Sequence, residues 1–213
     1  LERNRIIAPT SKEAENGSKT KPGQWRCFME ISEDNGKSWM LTKQVPQDDA
    51  IFRTIQPPLL VHNDGRLQLL CRTASPKTPQ LKSNALVATS WSDDGGLTWS
   101  EMQFLEDLPN NNSGIDAVTI SSPRGGWEGA LIYNPFGCVD WLPKTDPSRN
   151  KPLRNPLWIA KSKDGIHWTP SLQLEDSPIS QYSYPSMILG SDGTLHCVYT
   201  WRRQRIKYQR IMK

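Results

Sequence analysis

The sequence predicts an all-β chain, a β-propeller of four-stranded antiparallel blades, and three observations predict it. A corner phrase is written three times, at Ser32-Glu33-Asp34-Asn35-Gly36-Lys37-Ser38-Trp39, Ser92-Asp93-Asp94-Gly95-Gly96-Leu97-Thr98-Trp99 and Ser162-Lys163-Asp164-Gly165-Ile166-His167-Trp168. Its tryptophans stand 60 and then 69 residues apart, the spacing of one small sheet per repeat. Between the corners lie short apolar runs bounded by turn residues, and no segment carries helical periodicity with caps. A sandwich is the other all-β possibility, but it would not repeat a corner.

Each corner reads as the end of a hairpin. The Asp carboxylate accepts from backbone N–H groups of its own turn, Gly supplies a positive φ, and the Trp ring caps the apolar face. The spaced oxygens and late Glu of a calcium loop are absent.

The elements follow in order. Residues 5–8 are a short apolar piece, and residues 25–31 run into the first corner. Residues 58–61 and 67–72 flank Asn63-Asp64-Gly65 as a hairpin, and residues 85–91 feed the second corner. Residues 102–105 complete that group. The same order recurs at 117–120, 129–133, 157–160, the third corner and 172–174. A last group begins at 186–189, turns at Ser191-Asp192-Gly193 and returns at 195–199. That makes about three and a half to four blades in one domain over residues 1–213, against about four to eight in a propeller. The first blade opens partway through its pattern, so the expectation is a fragment of a larger ring, with a closed four-blade ring as the alternative.

Composition narrows the function. The 213 residues are 36% hydrophobic and 23% charged, which is ordinary for a globular domain with enough chain for a core. The net charge of +4 is mild and scattered, which gives no reason to expect a nucleic-acid partner. No apolar run is long enough to span a membrane as a helix. No leader is visible, and the compartment does not follow from the chain. The cysteines, Cys27, Cys71, Cys138 and Cys197, lack metal-ligand spacing, and buried free thiols are expected rather than bridges. Asn16-Gly17-Ser18 and Asn111-Asn112-Ser113 fit the glycosylation pattern, which is common by chance. A nucleophile elbow and a phosphate loop are both missing, and His62, His167 and His196 lie in a turn, a corner and a strand rather than in a catalytic constellation.

The corners resemble the Asp-box, or BNR, repeats of the sialidase superfamily. So do the phrases Ile55-Gln56-Pro57, Leu69-Leu70-Cys71-Arg72, Asn112-Ser113-Gly114-Ile115-Asp116, Tyr133-Asn134-Pro135, Tyr182-Ser183-Tyr184-Pro185 and Tyr199-Thr200-Trp201-Arg202. The resemblance implies a six-bladed propeller, no cofactor, and a site on the face opposite the corners. It also implies a Tyr nucleophile activated by Glu, an Asp acid/base and three arginines on a substrate carboxylate. Guanidinium suits that task because its donors match a carboxylate in pairs. Sialidases are also exceptions to the two-carboxylate scheme of glycosidases.

Carried onto this chain, the resemblance makes Tyr182 the nucleophile, or else an aromatic rim residue. The nucleophile reading requires a carboxylate within hydrogen-bond reach of the Tyr182 hydroxyl, and Asp116 and Glu128 are the candidates. Arg72 and Arg154 match clamp arginines. Asn112 and Ser113 belong to a polar loop between blades, while Tyr133, Asn134, Tyr184, Trp201 and Arg202 can stack on or hydrogen-bond a sugar. Ser83-Asn84-Ala85 stands where a further arginine is usual, and Arg149 competes with Arg154. The expected partner is an acidic glycan and the expected activity is exo-glycoside hydrolysis. A non-catalytic glycan- or protein-binding propeller, an inactive fragment, and elimination at a uronate stand as the alternatives.

Overall fold

The structure, a computed structural model, describes residues 5–13, 25–73, 86–121, 126–135, 154–177 and 181–212. Cys138, Arg149, the residues 16–18 and the residues 83–85 lie outside them. The described residues are all-β, with fifteen strands in four antiparallel sheets.

The first sheet holds β1 (Ile6–Glu13), β2 (Trp25–Ser32) and β3 (Met40–Leu41) in that order. The second holds β4 (Thr54–Ile55), β6 (Leu67–Thr73), β7 (Leu86–Ser92) and β8 (Gln103–Pro109), with β5 (Leu59–Val61) also paired to β6. The third runs β9 (Asp116–Ser121), β10 (Trp127–Tyr133), β11 (Leu157–Ser162) and β12 (Thr169–Glu175). The fourth is β13 (Tyr182–Leu189), β14 (Leu195–Trp201) and β15 (Arg205–Ile211). The sequence pattern does not announce β15, because alternating Arg, Lys and Gln dilute its apolar positions.

The sheets pack in chain order, and strand alternation explains how. On β6, Leu67, Leu69 and Cys71 face a core shared with Cys27, Met29 and Ile31 of the first sheet. Leu70 of the same strand faces the other way, into a core with Trp127, Leu131 and Trp168 of the third. On β10, Leu131 and Tyr133 join that core, while Ala130 and Ile132 face Tyr182, Met187 and Tyr199 of the fourth sheet. Side chains two apart share a face, so a central strand with both faces covered is apolar throughout. Strands of adjacent sheets also touch, β5 against β9 and β9 against β13. Three described cysteines, Cys27, Cys71 and Cys197, are buried and free.

The three corners share one set of bonds. Asp34 Oδ1 accepts from the N–H groups of Lys37 at 3.0 Å and Ser38 at 2.9 Å, and Oδ2 from the Ser38 hydroxyl at 2.7 Å. Asp94 does the same with Leu97, Thr98 and the Thr98 hydroxyl, and Asp164 with Ile166, His167 and the His167 ring. Each Trp donates its indole N–H to a corner Gly carbonyl, at 3.0–3.2 Å. Trp99 and Trp168 are buried as expected, but Trp39 is 48% exposed.

Candidate functional site

Strand register fixes which residues meet. Leu67 pairs with Ser92 and Gly129 with Ser162, so β6 and β10 start at the corner end. Arg72, Asp116 and Tyr182 therefore lie at the other end, on the face away from the corners. There a cleft of about 300 Å³ is lined by Gln56, Pro57, Pro58, Gly114, Ile115, Asp116, Tyr184, Pro185 and Ser186.

Arg72 and Arg154 are 7% and 5% exposed. Arg72 donates Nε to Asn112 Oδ1 at 2.7 Å and Nη1 to Gln56 Oε1 at 2.8 Å, both neutral acceptors. The charges of Arg72 and Arg154 both act on the Tyr184 phenol, and the Arg154 guanidinium stands 4.8 Å from its ring centre. Arg154 Nε and Nη1 are buried and find no partner among the described residues. Burial, and then the positive charge of Arg154, lower the pKa of Arg72. The hydrogen bond from Arg154, with its charge, pulls the Tyr184 phenol below its usual value. Two buried like charges beside one phenol raise the local positive potential, which an added carboxylate would relieve.

Backbone strain gathers here. Gln56, Asn112 and Tyr184 have φ of 52°, 62° and 51°, and Arg202 and Arg203 both have 54°. Such conformations cost about 1–3 kcal/mol each in non-glycine residues and gather where function holds them in place. Sequence gives no sign of four of them, because only Asn112 is a residue type that adopts this conformation readily.

Tyr184 lines the cleft as expected of a substrate-facing residue, whereas Tyr182 is in the core. Tyr182 is 1% exposed, in the core against Tyr199, at 6.3 Å between ring centres. A carboxylate does approach its hydroxyl, but it is Glu175 rather than Asp116 or Glu128. Burial pushes the Glu175 carboxyl up, yet its bonds from Lys207, Tyr199 and Tyr182 hold it below its usual value. The result is a half-buried polar tie between the third and fourth sheets. Tyr184 is 48% exposed and lines the cleft. The physical cause is a register break on β13 between Ser183 and Ser186, together with the positive φ of Tyr184. In an unbroken strand the two tyrosines would share a face.

Asp116 borders the cleft, but both its oxygens are engaged. Oδ2 accepts from Met187 N–H at 2.6 Å and Oδ1 from Ala117 N–H at 2.9 Å. Burial raises its pKa. Glu128 lies at the corner end, 3.5 Å from Lys161 Nζ, away from the arginines. Asn112 holds Arg72, whereas Ser113 is buried within its own loop, its N–H accepted by Asn110. Tyr133 is buried, its pKa pushed up to about 12 by burial, and Asn134 is buried with its amide on the carbonyls of Pro156 and Tyr182. Neither can meet a sugar without rearrangement. Trp201 and Arg202 lie at the rim, but Arg202 and Arg205 rest on the Trp201 ring, at 4.5 and 4.3 Å. Gln56 and Arg203 join the site without having been singled out as site residues. The phrase Ile55-Gln56-Pro57 was the signal for Gln56. Among the described residues, no group of three or more His, Cys, Asp or Glu can hold a metal ion.

The family model for a BNR repeat-like domain matches residues 1–197. The chain belongs to the BNR repeat-like domain family. No curated protein matches it. Among solved structures, this BNR-repeat chain is similar to the NanB sialidase of Streptococcus pneumoniae, at 15% identity and a TM-score of 0.65, covering 98% of this chain and 29% of that one. It is also similar to the intramolecular trans-sialidase of Ruminococcus gnavus, at 21% identity and 0.63, covering 97% and 40%. A Trypanosoma rangeli sialidase aligns at 13% identity and 0.61, covering 97% and 29%. The BNR-repeat chain thus spans well under half the length of these relatives, and at such identities the likeness shows the fold.

Proposed function

We propose that the four sheets are consecutive blades of a sialidase-like propeller whose cleft binds the carboxylate of a terminal acidic sugar. The observation that carries this reading is the convergence of Arg72 and Arg154 on Tyr184, with two buried donors of Arg154 left unused. The activity it favours is exo-glycoside hydrolysis, with the arginines on the sugar carboxylate and Tyr184, rather than Tyr182, facing the anomeric carbon. The sialidase names of the similar structures support the substrate class.

One observation favours a second reading. Tyr184 is held by guanidiniums, and the side chains bonded to Arg72 beside it are the amides of Gln56 and Asn112. A phenol lowered by cations suits binding alone, or proton abstraction beside a uronate carboxylate, as well as it suits nucleophilic attack.

The test is turnover of a fluorogenic sialoside and of uronate oligosaccharides, with calorimetric binding alongside. Hydrolysis that is lost in Tyr184→Phe and kept in Tyr182→Phe supports the first reading. An unsaturated uronate product supports elimination, and binding without turnover supports a lectin-like role. If neither sialosides nor uronates bind, the carboxylate site is refuted.

A further inference from the structure

The turn between β14 and β15 carries Arg202, Arg203 and Arg205 beside Trp201, at the mouth of the cleft. Arg203 and Arg205 form no ion pair with a carboxylate among the described residues. All three arginines are exposed. Arg203 reaches back over the Tyr184 ring at 5.7 Å and donates Nε to Gln181 Oε1 at 3.0 Å. Arg202 and Arg205 rest on Trp201. The turn is bound to the start of β13 by Arg202 N–H, which donates to Gln181 O at 2.9 Å, and is closed by Gln204 N–H on Trp201 O at 3.0 Å. Two successive non-glycine residues, Arg202 and Arg203, hold φ of 54°. An unconstrained turn at these positions would favour Gly or Asn. Arginine there costs backbone strain and sets cations in a row, and the indole fixes two of them by cation–π contact.

The row continues the buried pair outward, in the order Arg72 and Arg154, Tyr184, Arg203, then Arg202 and Arg205 around Trp201. A single terminal sugar carboxylate is served by the buried pair. We propose that the rim is a second anionic subsite, which takes the acidic group of the next sugar, so that the preferred ligand is a glycan with acidic groups on two neighbouring residues. This rests on the carboxylate reading of the cleft. The guanidiniums on Trp201 also explain why that ring serves to order cations rather than to stack on a sugar.

The test compares calorimetric affinities for a disaccharide of two sialic acids, one of two uronates, sialyllactose and lactose, at physiological ionic strength. The proteins are the wild-type chain, Arg72→Gln and the double variant Arg203→Gln/Arg205→Gln. A di-acidic ligand is expected to bind about five- to tenfold more tightly than sialyllactose, and the double variant is expected to erase that ratio. Arg72→Gln should weaken all acidic ligands together. Equal wild-type affinity for mono- and di-acidic ligands overturns the rim subsite and leaves the cleft reading intact. A preference that survives in the double variant also overturns it. Failure of every acidic ligand to bind overturns both proposals. Unchanged melting of the double variant confirms that the comparison is between folded proteins.

Discussion

Arg154 contributes most to lowering the Tyr184 phenol below its usual value. Its guanidinium bonds the phenol oxygen and lies against the ring, so it stabilises the ionised form over the neutral one. Removing that charge in Arg154→Gln is expected to move the phenol titration upward, toward the ordinary value near 10. Ultraviolet difference titration, with Tyr184→Phe as the blank, reads this directly, and an unmoved midpoint would refute the assignment. The same variant should lose about tenfold or more in affinity for a carboxylate sugar, the worth of one charge-assisted contact. Arg72 was legible in the sequence because it sits in a phrase shared with a known family, and Arg154 only as a match to a clamp arginine, with Arg149 competing. The choice between Tyr182 and Tyr184 was not. Period-two alternation gives both the same face, and only the register break with its positive φ turns Tyr184 outward.

The corners were fully legible, because their bonds are local in sequence, yet identical corners do different amounts of work. Asp94 satisfies two backbone N–H groups and a hydroxyl. Asp94→Ala should cost about 1–2 kcal/mol at neutral pH, comparable to losing a helix cap. Burial pushes this carboxyl up, but the Thr98 bonds win and hold it below 3.8. The folded chain therefore takes up this proton at lower pH than the unfolded chain does. The stabilisation is present above the unfolded value of 3.8 and is lost as pH falls below it. Urea unfolding of wild type and Asp94→Ala across pH should show the two curves converging on the acid side. A gap that stays constant with pH would show that the carboxylate charge is irrelevant. The tryptophans differ more sharply. Trp168 is enclosed between the second and third sheets, so Trp168→Ala should cost about 3–5 kcal/mol. Trp39 is 48% exposed, so Trp39→Ala should stay within about 1 kcal/mol. Equal losses in the two variants would mean that Trp39 is covered in solution. Exposure of this kind depends on which sheet lies alongside, and no local phrase encodes that.

The cleft belongs to no single sheet. Arg72 comes from the second, Asp116 and the Asn112 loop from the third or its approach, and Tyr184 from the fourth. Bonds between sheets assemble it, with Arg72 on Asn112, Met187 N–H on Asp116, and Tyr182 N–H on the Arg154 carbonyl at 2.7 Å. A ligand carboxylate held by Arg72 and Arg154 would add to these ties only in the folded state. Free sialic acid at about one hundred times its dissociation constant should then stabilise the chain by about 2.7 kcal/mol. For a domain of this size that is a rise in melting temperature of about 5–10 °C. The methyl ester of the same sugar lacks the charge and should give little or no rise, and Arg72→Gln should abolish the rise for the acid. An ester as effective as the acid would mean that the sugar ring, not the carboxylate, is what the assembled face recognises, and that the paired arginines serve the packing of the sheets.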